Sequence, residues 1–144
     1  MNGQGNAQRM KVLKEVGIRV DKLRGNTEDL GKTAAEGFGD KHKSQMKNLE
    51  TIANSALKVS DVLDYIKRQT GRAKPNQEWK YQQFGKNLLG MVEKTLKQER
   101  DSICGKLAID DDFDQLEVYL LIVRECVRQI VIHFEFELGT KETA

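Results

Sequence analysis

Proline occurs once in the 144 residues, at position 75. A helix interior excludes proline for want of an N–H and because its ring meets the preceding turn, so long stretches here are free to be helical. Cysteine is almost as scarce: Cys104 and Cys126 stand alone, and neither belongs to a C-x-x-C pair. Both thiols therefore read as small core hydrophobes, and a reducing, cytoplasmic compartment is the default expectation. No apolar run approaches the roughly 18 residues needed to span a bilayer. The N-terminus carries no basic–apolar–small leader pattern, so no membrane is expected among the partners.

What is present is charge. Hydrophobic residues make up 38% and charged residues 32%, a balance suited to solvated helices around one core rather than to sheets. The overall charge of +2 conceals an asymmetry. Residues 41–100 hold 13 Lys and Arg against 6 Asp and Glu, whereas residues 101–144 hold 4 against 10. A chain basic in its middle and acidic at one end attracts polyanions, and it also attracts copies of itself.

The pattern along the chain predicts an all-α, compact bundle of four to six helices. Residues 1–6 and 140–144 read as mobile tails around a single domain over 7–139. Leu13, Val16, Val20 and Leu23 recur every three or four residues and predict a helix from Gln8 to Arg24, stopped by Gly25-Asn26. Glycines 31, 37 and 39 weaken any helix over Thr27–Glu36. Met46, Leu49, Ala53, Ala56 and Leu63 predict one long helix from about Lys43 to Thr70, ended by Gly71. Asn76 reads as the cap of a further helix reaching Arg100, in which Gly85 and Gly90 mark close approach of a neighbour. Phe113, Leu116, Leu120, Val123, Val127, Ile130 and Phe134 alternate steps of three and four without a miss. They form either an internal core stripe or a seam for a partner helix. Residues 132–138 also alternate with period two, so an extended segment there is the alternative to helix.

Little points to chemistry, and the chain reads as non-catalytic. Nothing pairs His42 or His133 with either cysteine in a nucleophile–base pattern. His133 reads as a satisfied structural histidine. The Asp110-Asp111-Asp112-Phe113-Asp114 run lacks the alternation and glycine of a calcium loop. It suits a helix cap, then a partner's basic surface, with metal a distant third. The scattered glycines match neither a P-loop nor a dinucleotide fingerprint. No catalytic residue, metal ligand or cofactor is assigned.

Binding has more support. Lys43 and Lys47 open the second helix with Lys41, Lys67, Arg68, Arg72 and Lys74 end it, and Lys80 and Lys86 follow on the third. On an antiparallel helix pair the 67–80 group would collect around one corner and the 41–47 group would lie about 30 Å away at 1.5 Å per residue, a span suited to tracking a nucleic-acid backbone. Any single lysine more often serves solubility. The regional excess instead predicts phosphate contacts, sequence-independent affinity and steep salt dependence. Trp79 and Tyr81 flank Lys80 and offer faces on which bases stack, although core is the default for Tyr81.

Two stretches carry a resemblance to a known family. Lys43-Ser44-Gln45-Met46-Lys47 opens a long helix, and Val131-Ile132-His133-Phe134-Glu135-Phe136-Glu137-Leu138-Gly139 closes the last one just before a glycine. Together they resemble the Csm-type small all-helical subunit of type III CRISPR effector complexes, over roughly residues 43–139. Lys47 stands where that family's pattern has arginine, and it is the only basic residue the motif itself carries over. The resemblance implies a non-catalytic subunit contacting guide RNA and target nucleic acid through their backbones, beside other effector-complex subunits and copies of itself. A protein-only helical adaptor or homo-oligomeric bundle is the competing expectation.

Overall fold

The computed structural model describes the backbone of residues 5–143 and the side chains of 5–140; among these no strand occurs. Helix α1 spans Gly5–Lys22, α2 Arg24–Phe38, α3 Lys43–Ser55 and α4 Val59–Arg72. A 3₁₀ stretch over Glu78–Gln83 leads into α5 (Phe84–Gly90). From there the chain runs through a π-helical turn at Met91–Leu96 into α6 (Lys97–Lys106), and α7 takes Asp112–Thr143. Residues 132–138 are helical, so the extended alternative falls away. Gly5, Asn6 and residues 140–143, expected in the tails, lie within α1 and α7, and residues 1–4 and 144 lie outside the described residues.

Helix α7 is the axis of the bundle. Val118, Ile122, Val123, Cys126, Val127, Ile130, Val131 and Phe134 are all buried, which wraps the core around most of its circumference. The heptad is therefore internal core rather than a seam left open for a partner. Its first member is the exception: Phe113 is 81% exposed, in the acidic run ahead of the packed region. That run does cap the helix. Asp111 Oδ2 accepts from the Asp114 N–H at 3.1 Å, which satisfies a donor of the first turn.

The most extensive interface is that of α2 with α7. Gly25-Asn26 does not stop α1 as its composition predicts. Instead the chain kinks at Leu23 and continues as α2, because Thr27, Gly31, Ala34, Ala35 and Phe38 line up on one buried face. A Cβ at Gly31 would stand 2.5 Å from His133 Cβ and 2.8 Å from the Ile130 carbonyl oxygen. The glycine that weakens the helix in sequence is thus what lets the two backbones approach. In α1 the buried stripe is Val12, Val16 and Val20. Leu13, expected inside, is 41% exposed.

The single helix expected over 43–70 is two helices. Ala56 and Lys58 are extended (ψ 139° and 152°), and α4 folds back along α3. No glycine or proline makes this break. Arg124 of α7 donates to the carbonyls of Ala53 and Ala56, both at 2.9 Å, and so takes up the carbonyls that end α3.

Asn76 does not cap a helix. Asn76, Glu78, Gln82 and Gln83 all have positive φ, between 44° and 61°, and regular helix starts only at Phe84. The coil carries Trp79, 1% exposed, into a cluster with Phe38, Tyr65 and Phe84 at centroid distances of 5.2 to 5.8 Å. Burial of the indole works against the left-handed strain of these residues. Of the two glycines expected to mark close approach, Gly85 does so against Thr70, and Gly90 has no neighbour near its Cβ position. Beyond Gly90 the π turn is tied to α7 by Tyr119, whose hydroxyl donates to the Val92 carbonyl at 2.7 Å.

Candidate nucleic-acid interface

The hairpin of α3 and α4 rearranges the basic residues. Gln45 in the first turn of α3 accepts from the Tyr65 hydroxyl of α4 at its backbone oxygen (3.3 Å) and from Trp79 Nε1 at its side chain (2.7 Å). His42, just before α3, holds Glu78 at 3.1 Å. The start of α3 and the end of α4 therefore lie at one end of the molecule, and the 30 Å span expected of a single helix does not exist.

The two groups still face different ways. Gln45 turns towards α4, whereas Lys47 projects from the other flank of α3 and meets Glu135 of α7 at 3.5 Å. Lys43 pairs with Asp40 at 3.0 Å. Both lysines line a groove against Val131, Phe134 and Leu138. Both are exposed pairs with acidic neighbours, and Lys47, the position that carries the family resemblance, faces α7 rather than α4.

The remaining six follow one another along the end of α4, the coil after it and the start of α5. Thr70 of α4 packs so closely on Gly85 that a Cβ there would stand 2.0 Å from its Oγ1. Lys67, Arg68 and Arg72 ride on that last part of α4, Lys74 follows its end, and Lys86 is next to Gly85 on α5. Lys80 follows Trp79, whose ring meets Tyr65 of α4. Five of the six side chains are exposed and Lys80 is half-buried. None of the six makes an ion pair or side-chain hydrogen bond among the described residues. Nearby acids are Glu78, in contact with His42, Asp64, one turn before Arg68, and Glu36, which accepts from Tyr81 beside Lys80.

Compared with known families, curated proteins and solved structures, the chain matches none. The chemistry of the corner has to be read from its own side chains. Cations on flexible stems, with their charges unengaged, suit phosphate oxygens. Base stacking has little to work with, since Trp79 is sealed in the core. Tyr81 lies over Gly37 and donates to Glu36 at 3.1 Å, a bond that with partial burial raises the phenol above its ordinary pKa.

Sequence reasoning missed the turn itself. Asn76, Gln77, Gln82 and Gln83 are exposed amides on the coil between the two basic helices. The sequence marks Arg72-Ala73-Lys74-Pro75 as a short basic linker but not its extension to Gln83. Elsewhere the thiols are unsuited to chemistry at neutral pH. Burial pushes Cys126 up to about 12 and raises Cys104 as well. No group of three or more candidate metal ligands converges among the described residues. His133, expected to be a satisfied core histidine, is buried with its Nε2 lacking a hydrogen-bond partner among the described residues.

Proposed function

We propose that this chain is a non-catalytic helical subunit that contacts nucleic-acid backbone without sequence specificity, through the corner formed by α4 and α5. Lys67, Arg68, Arg72, Lys74, Lys80 and Lys86 supply the charge. The observation that carries this reading is that the end of α4 packs on the start of α5 at Thr70 and Gly85, with six unengaged cations on these segments and the coil between them. Cations kept for internal ion pairs would have acids beside them, as Lys43 and Lys47 do.

The resemblance of residues 43–47 and 131–139 to the Csm-type small subunit supports a role in a CRISPR ribonucleoprotein, against guide RNA and target strand and beside other subunits. The corner extends that reading, because it supplies phosphate contacts from residues outside the shared motif. A compact corner replaces the long track that a single helix would make, and it touches a short stretch of backbone per copy.

The test is binding of a labelled RNA duplex and a single strand by the purified chain at two salt concentrations. Expected is affinity indifferent to sequence that falls steeply with salt and is abolished by reversing Arg68, Arg72 and Lys86 together. Salt-insensitive binding, or none either alone or within an assembled complex, overturns the proposal and leaves the protein-only adaptor.

A further inference from the structure

Away from the basic corner, the outer ridge of α7 exposes apolar side chains that the fold does not use. Ile132 is 42% and Phe136 64% exposed. Arg128, one turn earlier, is exposed as well. A spacing of four residues sets the three in one line along the helix. On one side of this line lies the groove against α3, about 520 Å³ in volume. On the other lies a groove of about 530 Å³ against α2, whose walls include Ile132, Phe136 and the buried, partnerless His133.

We propose that this ridge is the docking surface for a second copy of the chain, related by a two-fold axis through Ile132 with the two α7 helices antiparallel. The order of residues on the ridge is complementary to itself when reversed. Four residues beyond Ile132 stands Phe136, and four before it stands Arg128. Antiparallel pairing therefore lays each guanidinium on the other copy's phenyl ring, a favourable cation–π contact made twice by symmetry. A ridge with steps of four meeting its own kind belongs to the commonest class of helix crossing, at about −50°. The rim suits a copy better than a polyanion. Arg24 and Lys32 on the α2 side are offset by Glu28, Asp29 and Glu137. Arg128 now holds Glu125 at 3.0 Å, an exposed pair that exchanges at little cost.

Sedimentation velocity of the nuclease-treated full chain, from low to high micromolar concentration, tests this. A reversible monomer–dimer equilibrium is expected, weakened on the order of tenfold or more by Ile132→Asp and by Arg128→Glu separately. Both side chains already face water, and circular dichroism of each variant should match the parent. Ile132→Cys should give a disulfide-linked dimer on oxidation, because the thiol sits on the axis. The parent should give none, because Cys104 and Cys126 are buried. The proposal is overturned by a chain that stays monomeric throughout, by a dimer indifferent to Ile132→Asp, or by an Ile132→Cys dimer that does not cross-link.

Discussion

Arg124 donates from Nη2 to the backbone carbonyl of Ala56 at 2.9 Å, across 68 residues of sequence. Together with the bond from Nε to Ala53, this makes one side chain of α7 the cap of α3. A cation at a helix C-terminus also meets the negative end of the helix dipole. Replacing Arg124 with Ala should destabilise the fold by about 1–3 kcal/mol, the usual cost of orphaning acceptors served by a charged donor. Urea unfolding measures this, and hydrogen exchange should show the loosening concentrated around residues 53–58.

Gly31 is the second pressure point. Alanine favours a helix interior over glycine by about 1 kcal/mol, so on propensity alone Gly31→Ala stabilises. Packing reverses the sign, because the added methyl would meet His133 Cβ at 2.5 Å and the Phe134 nitrogen at 2.9 Å. Two of the opposing atoms are backbone and cannot swing away. A net loss of about 1–3 kcal/mol is expected from overpacking, read as a lower thermal midpoint. Gly25→Ala, with open space at its Cβ, should not share it.

Trp79 separates core from binding. Trp79→Ala should cost about 3–5 kcal/mol of stability, as large aromatic truncations in cores do. At temperatures where the variant stays folded, its RNA affinity should match the parent. A selective loss of single-strand binding with unchanged stability would show that the indole reaches the nucleic acid after all.

The basic residues should divide by their surroundings. Reversing Arg68 or Arg72 should weaken RNA binding and reduce the slope of log affinity against log salt by about 0.7–0.9 for each phosphate set free. Neutralising Lys47 should do less, because Glu135 already engages it. Titrations at three salt concentrations distinguish the two groups.

Acid should weaken one specific tie. Glu15 accepts from Lys106 of α6 and from Arg19 of its own helix. The Lys106 bond, with help from Arg19 and against an upward push from burial, holds its carboxyl below the ordinary value of 4.5. A carboxyl depressed by folding contributes stability above its unfolded pKa, and that contribution is lost as pH falls through the folded one. The stability difference between the parent and Glu15→Gln should therefore be greatest near neutrality and vanish in acid, as followed by urea midpoints across pH.

The helical character of this chain is written in its local pattern. Proline is nearly absent, apolar residues recur at three and four, and the buried stripe from Leu120 to Phe134 sits where that recurrence predicts. Regional charge likewise marks the middle of the chain as its basic part. These features are legible because helix periodicity and net charge depend only on neighbours in sequence.

Only the tertiary structure decided where helices end and which cations are paired with acids. The break after Ser55 depends on Arg124, the close approach of α2 on Gly31 meeting α7, and the strained coil before α5 on a pocket waiting for Trp79. The same fold-back placed Lys47 against Glu135 and left Lys67, Arg68 and Arg72 unengaged. Each is a contact between residues far apart in the chain. Its free energy exceeds the local preference it overrides, and no window of sequence contains both partners.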